Sequence, residues 1–416
     1  MNPESIEPLI AGAESALAPV WANLAGIAHA NTAKVLEAFR HYQIGDHHFA
    51  GTTGYGHDDL GREALENVFA RIFRAEAALV RSQFASGTAA ISTALFGALR
   101  PGDELLAVTG HPYDTLEEVI GLRGEDQGSL SEWGVRYREV NLTPDGTPDF
   151  DAIASAVRPE TRVAAIQRSR GYAWRPSVGM AELERLIRHL RELKPDLIIF
   201  VDNCYGEFTE TVEPLELGAD LIAGSLIKNP GAGIVPMGGY VAGRADLVHR
   251  AACRFTAPGI GRAGGASLEA NRLMFQGLFM APHVVVEALK GATLAARLFE
   301  QLGYVVSPAW DAPRTDIIQS IRFEDPAKLI AFCQGIQASS PINAYVTPIP
   351  DVVPGYEDAV VMAGGTFIEG STIELSADGP LRPPYVAYLQ GGLNYSHCRL
   401  ALAESLKRLA KEMSHV

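Results

Sequence analysis

Cysteine is scarce and scattered in this chain. Its four thiols, Cys204, Cys253, Cys333 and Cys398, form no Cys-x-x-Cys pair, which argues against a disulfide framework or a thiolate zinc site and points to a reducing cytoplasm. No uninterrupted apolar run is long enough to span a bilayer, and Met1 to Leu9 carries two glutamates and no basic segment, so neither export nor membrane insertion is expected. Positive charge is also short. Against 49 Asp and Glu stand 35 Lys and Arg, a formal net charge of -14, and such a surface does not suit nucleic acid. There is no GxxxxGK[ST] run, and Gly231-Ala232-Gly233 lacks the third glycine of a dinucleotide fingerprint. His47, His48 and His57 are accompanied by no carboxylate-rich or thiolate constellation, so no metal site is expected. Internal repeats and low-complexity tracts are absent as well.

What remains is the composition of a globular enzyme, 47% hydrophobic and 20% charged. A chain of 416 residues exceeds what one core usually serves, so a large domain with a smaller partner is expected. Residues 1–60 read as a helical arm ending in the glycine-rich, aromatic segment His47 to Asp59. Over 61–290, helical periodicity alternates with apolar runs at 104–108, 163–166, 197–201, 221–223 and 239–241, which predicts βαβ units and a mostly parallel α/β sheet. A helix over Val284 to Leu302 then leads into a small C-terminal α/β domain, 291–416, with strands near Ile317 to Phe323 and Thr372 to Leu375.

The chemistry concentrates at two strand ends. The run Leu197 to Val201 stops abruptly at Asp202, and about two dozen residues later Lys228 lies between Ser225 and the turn Asn229-Pro230-Gly231. Alone, each is an ordinary loop residue; together, at the carboxyl ends of parallel strands, they can share one crevice. A lysine to form a Schiff base and an acid to pair with a pyridinium nitrogen point to pyridoxal 5'-phosphate. A phosphate needs a cradle, and Ser86-Gly87-Thr88 supplies one, with Ser86 capping a helix from about Gly87 to Leu99 whose free N–H groups attract an anion. Ser225 adds a hydroxyl. Tyr113, just past the strand 104–108, is the first candidate to stack on the ring and His111 the second, while Tyr205 is placed to bond the cofactor's phenolic oxygen. For the substrate carboxylate, Arg382 is the leading cation, with Arg168 and Arg170 as competitors.

The runs Ser86-Gly87-Thr88-Ala89, Ile166 to Tyr172, Asp202 to Phe208, Gly224 to Gly231 and Gln390 to Tyr395 resemble the aluminium-resistance family. These are pyridoxal-phosphate enzymes of fold type I, similar to methionine gamma-lyase and cystathionine beta-lyase. The five motifs occur in order over nearly the whole chain. The resemblance implies a carbon-sulfur lyase that releases a thiol, ammonia and a 2-oxo acid from a sulfur amino acid. It also implies a homotetramer, a dimer of dimers, whose active sites are shared through an inter-subunit loop. Tyr55 matches the tyrosine of that loop, with Arg62 nearby as a cation for phosphate or substrate. Lys228, freed when substrate binds, would take the α-proton, and Tyr113 or Tyr55 would share the acid and base work. Two positions depart from the pattern: Ala232 where glycine is expected, and His57 where an aromatic is expected. An aminotransferase on the same fold, or a noncatalytic protein that keeps it, stays open, because fold and cofactor do not fix the reaction.

Overall fold

The apolar runs become strands because both of their faces find cover. In the computed structural model, which describes residues 3–124, 128–352 and 358–412, seven strands form the first sheet. They are β1 (Ala77–Arg81), β2 (Glu104–Ala107), β3 (Arg136–Glu139), β4 (Thr161–Gln167), β5 (Ile198–Asp202), β6 (Leu221–Ser225) and β7 (Gly239–Gly243). Their spatial order is β1-β7-β6-β5-β4-β2-β3. Along β5, Ile199 and Val201 join the core on one face of the sheet and Ile198 and Phe200 the core on the other, which is why the strand reads as an unbroken apolar run.

Two of these strands are not marked by the pattern. β3 is an edge strand, Arg-Tyr-Arg-Glu, and too polar to register. β1 is fully buried but reads Ala-Ala-Leu-Val-Arg, and its antiparallel register with β7, from Ala77 opposite Gly243 to Arg81 opposite Gly239, holds it extended. Since β7 is antiparallel to both β1 and β6 while the other pairs are parallel, β1 to β6 all run one way. Their carboxyl ends therefore lie along one edge.

Helices cover the sheet. Those before and between the strands are α1 (Ile6–His41), α2 (Leu60–Phe73), α3 (Gly87–Ala98), α4 (Asp114–Ile120), α5 (Phe150–Ala156) and α6 (Met180–Leu193), followed by α7 (Ala245–Phe255) and α8 (Asn271–Gln301). The expected helix at Val284 begins earlier, at Asn271, and continues through Pro282. By length and composition α8 could cross a membrane, but most of its side chains are buried in the fold, as in a core helix.

A second sheet, antiparallel throughout, has the order β10-β11-β12-β9-β8. Its strands are β8 (Val305–Ser307), β9 (Ile318–Arg322), β10 (Val360–Ala363), β11 (Ser376–Pro380) and β12 (Val386–Gln390), packed by α9 (Pro326–Ala338) and α10 (Tyr395–Glu412). The strand expected at Thr372 to Leu375 starts just beyond it, at Ser376. Helix α1 does not stand apart as an arm. Ile6, Ile10, Ala13 and Leu17 lie in the core under the second sheet, whereas Leu24, Val35 and Ala38 lie in the core under the first. Trp21, between the two sets, donates from Nε1 to Thr293 Oγ1 on α8 at 3.0 Å.

One buried acid makes the fold sensitive to pH. Glu207 is fully enclosed; Tyr240 Oη donates to its Oε1 at 2.6 Å, and Oε2 has no partner among the described residues. Burial pushes its pKa up to about 8. The folded state thus holds a proton that the unfolded chain releases at lower pH, so this group's contribution is fully present below the usual glutamate pKa and is lost as pH rises through about 8. We expect Glu207→Gln to unfold with the wild type near pH 5 and at a higher denaturant midpoint near pH 9. Parallel midpoint curves across that range would show that Glu207 is not the titrating group.

Candidate active site

The ends of five strands contribute to one cavity of about 470 Å³. Ser86, Gly87 and Thr88 follow β1, Tyr113 follows β2, Gln167 ends β4, Asp202 and Tyr205 come from β5 and its loop, and Ser225 and Lys228 from β6 and its loop. All eight residues expected to hold the cofactor line this space: Ser86, Gly87, Thr88, Tyr113, Asp202, Tyr205, Ser225 and Lys228.

Local sequence explains each placement. Ser86 is extended and its Oγ accepts from Ala89 N at 3.1 Å, so α3 starts at Gly87 with its N-terminus turned to the cavity. Gly87 has to be glycine for reasons of space, since a Cβ there would stand 2.9 Å from Ser225 Cβ. Tyr113 precedes α4, its Oη lies 3.3 Å from Thr88 Oγ1, and its backbone N–H donates to Gln167 Oε1 at 3.1 Å. The Lys228 loop is tied down by Asn229, whose Nδ2 donates to the carbonyls of Tyr205 at 3.0 Å and Glu207 at 2.9 Å. This bond also holds Tyr205 in a left-handed backbone conformation, φ 71°, which a tyrosine adopts only under constraint. Ala232 is left-handed too, φ 53°, which accounts for the glycine expected there.

The electrostatics suit a ligand that brings a proton and an anion. Burial raises the Asp202 carboxyl, against the pull of Lys228, and Cys204 N donates to its Oδ1 at 3.1 Å. Burial works against the Lys228 ammonium, but the acidic groups around it, Cys204, Tyr205 and Asp202 first, keep its pKa above the ordinary lysine value. The Lys228 Nζ lies 4.0 Å from the centre of the Tyr205 ring. Burial and the Asp202 charge hold the Tyr113 phenol well above its usual range, so it carries its proton at neutral pH. A crowded cradle that only glycine allows, a half-buried amine and a buried acid in need of a proton fit pyridoxal 5'-phosphate.

The expected substrate residues are placed differently. Arg382 does not line this cavity but a second one, about 380 Å³, which shares Tyr113, Asp114, Gln167, Gly171 and Tyr172 with it. Its Nη1 lies 3.0 Å from Asp358 Oδ2, and its Nη2 donates to Tyr172 O at 3.5 Å. Arg168 corrects the expectation. It is buried, bonded to Asn203 Oδ1 at 2.9 Å and paired with Glu210 at 3.1 Å, so its guanidinium serves the scaffold and lines neither cavity. Arg170 donates to Ser307 and Ser320, and Arg62 to the carbonyls of Gly56 and Gly265, where it pins the loop. His111 lies in the second cavity between Glu117 and Glu139, so of the two stacking candidates only Tyr113 lines the first. Tyr55 is 81% exposed, stacked on His57, and is not among the residues that line its own chain's cavity.

The sequence reading missed the wall that the second sheet contributes, with Asp378 and Ser376 on β11 and Gln390 on β12. Asp378-Gly379-Pro380 reads as a turn, though it ends a strand in which every residue is buried.

The chain is similar over nearly its whole length to known proteins. The family model for methionine gamma-lyase matches residues 6–410. The uncharacterised Bacillus subtilis protein YnbB is 54% identical over 96% of this chain and 95% of its own. A solved structure from Listeria monocytogenes, assigned provisionally as a cystathionine beta-lyase involved in aluminium resistance, superposes with a TM-score of 0.95 at 51% identity, covering 97% of this chain and all of that one (100%). A carbon-sulfur lyase involved in aluminium resistance from Clostridium novyi gives a TM-score of 0.94 at 46% identity, covering 97% of this chain and 96% of that one.

The cradle itself can be tested. Gly87→Ala is expected to push the start of α3 away from Ser225 and weaken pyridoxal 5'-phosphate binding at least tenfold, ~1.4 kcal/mol, in an absorbance titration of the apoprotein. Undiminished affinity would mean that the phosphate is held elsewhere.

Proposed function

The chain belongs to the methionine gamma-lyase family, and from that premise we propose that it is a pyridoxal-phosphate-dependent carbon-sulfur lyase acting on a sulfur amino acid. Such a reaction breaks the bond between sulfur and the β or γ carbon and adds water, releasing a thiol, ammonia and a 2-oxo acid. The observation that carries the proposal is the convergence of Lys228, Asp202 and the start of α3 on one cavity at the carboxyl ends of the strands.

Bound there, the cofactor supplies an electron sink for the pair left at the α carbon. The chain's own residues do the rest. Lys228 would hold the aldehyde and, once displaced by the substrate amine, take the α-proton. Asp202 would keep a proton on the ring nitrogen, and a positive partner there relieves its own burial. Ser86, Gly87, Thr88 and Ser225 would bind the phosphate, and Tyr113 would flank the ring. Protonated at neutral pH, Tyr113 is the acid for the leaving sulfur. Arg382, at the mouth, would reach the substrate carboxylate by leaving Asp358. Tyr55, exposed at the end of its loop, would act in the cavity of a second copy within a homotetramer. A cytoplasmic setting accords with four unpaired cysteines.

The test is release of 2-oxo acid and ammonia from a panel of sulfur amino acids without an amino acceptor. Repeated turnover is expected in the wild type, with Lys228→Ala slower by at least about 10²–10⁴-fold and lacking the visible band of the lysine-bound cofactor. At most one 2-oxo acid per site, without ammonia, would identify an aminotransferase instead.

A further inference from the structure

The second cavity has more positive charge beside it than the surrounding acids answer. Arg170 is buried and Arg175 half-buried, and both line this space. Arg170 donates from Nη1 to Ser307 O at 2.9 Å, Ser307 Oγ at 3.0 Å and Ser320 Oγ at 3.1 Å, and from Nε to Ser177 Oγ at 3.4 Å, while its Nη2 makes no hydrogen bond among the described residues. Arg175 donates from Nη1 and Nη2 to the carbonyls of Pro176, Gln167 and Ser169, which leaves its Nε unused among the same residues. Every one of these acceptors is neutral. Arg314, buried close by, likewise bonds only to Gln319 Oε1 and Ala309 O. One carboxylate, Asp316, counters all three arginines, and its oxygens already accept from the Ile318 N–H and the hydroxyls of Ser169 and Ser177. Burial pushes Arg175 down to about 10 and Arg314 to about 9, so both are still cations at neutral pH. Asp358 and Glu117 also line the cavity, but Asp358 is taken by Arg382 at 3.0 Å and Glu117 by Arg123 at 2.6 Å. Unanswered buried charge is costly, and an anion in a cavity that offers unused N–H donors relieves it.

That anion is not the cofactor's phosphate, because Ser86, Gly87, Thr88 and Ser225 line only the main cavity. Nor is it the carboxylate of an amino acid held at Lys228, which stays close to the nitrogen joined there, and Lys228 does not line the second cavity. Arg382, half exposed, can turn toward such a group by leaving Asp358, whereas Arg170 and Arg175 are fixed by their bonds to serines and backbone carbonyls. A guanidinium presents its N–H groups in the plane that matches the two oxygens of a carboxylate. The acids that share the lining favour such a singly charged group over a phosphate. We propose that the second cavity binds a small organic carboxylate, distinct from the reacting amino acid, through Arg175 and the unused Nη2 of Arg170. The site goes beyond the lyase reading and stands without it.

Succinate and its uncharged diamide, succinamide, are the probes, in calorimetry with the wild-type holoenzyme. Succinate is expected to bind at least about tenfold tighter, the least that hydrogen bonds to a charged group contribute. Arg175→Gln leaves the bonds of Arg170 to the second sheet in place and should weaken succinate binding by about tenfold or more. Saturating L-alanine, which carries an α-amine and an α-carboxylate but no leaving group, should leave the affinity for succinate unchanged. Equal binding of succinate and succinamide by the wild type, or undiminished succinate binding in Arg175→Gln, overturns the site. Displacement of succinate by L-alanine would assign the arginines to the reacting amino acid and overturn a separate ligand. Tighter binding of inorganic phosphate than of succinate overturns the choice of a carboxylate. Should Arg175→Gln fail to fold, the wild-type comparisons decide alone.

Discussion

Two long helices threaded through two cores set the geometry on which everything else depends. The first half of α1 is packed under the second sheet and its second half under the first, and α8 follows the same course, with Val284 to Leu289 in one core and Leu294 to Phe299 in the other. Tilting the second sheet away from the first would expose apolar side chains at both ends of this helix pair at once. The cross-link continues at the surface, where Arg399 on α10 lies 3.0 Å from Glu14 on α1 and the Tyr395 ring meets Trp21 edge-on at 4.8 Å. Because the two sheets are fixed in this way, the cavity has two walls of different origin. One is a row of parallel strand ends, the other the antiparallel strands β11 and β12.

The two walls differ in chemistry as well as descent. The strand-end wall follows a general rule of α/β sheets: loops leaving parallel strands on the same side bring their residues together, and a helix start adds free N–H groups for an anion. Antiparallel strands have no such shared end. They present alternating side chains on a face, and a polar residue such as Asp378 reaches the cavity only where the strand passes under it. The first wall suits a cofactor common to many reactions; the second is free to vary with the molecule that reacts.

This difference decides what could be read from the sequence. Lys228, Asp202 and Ser86 were legible because each sits where a short local pattern ends, and the wall they form is assembled from such ends. Gly87 was legible as a helix start, although the reason for a glycine, the nearness of Ser225, lies 138 residues away in sequence. Asp378 was not legible, because Asp-Gly-Pro is also the composition of a turn, and only pairing with β10 and β12 holds it as strand. The arginines were harder still. Arg168 and Arg382 look alike as cations near glycine and proline, yet one is sealed in by Glu210 and Asn203 while the other stands half exposed beside Asp358. Partners so distant in sequence leave no local trace. The first turns of α1 likewise carry no sign of the second core they enter, which is contributed by residues some 300 positions later.

Charge balance ties the walls together. Among the described residues that line the main cavity, Lys228 is the single Lys or Arg, against Asp114, Asp202 and Asp378, in a chain whose net charge is already -14. A phosphate brought into such a space would add to the negative side. The N–H groups at the start of α3 can offset the phosphate, and a protonated ring nitrogen can offset Asp202. Neither reaches Asp378 on the other sheet, whose only described bonds are to the neutral Tyr172 and Gln390.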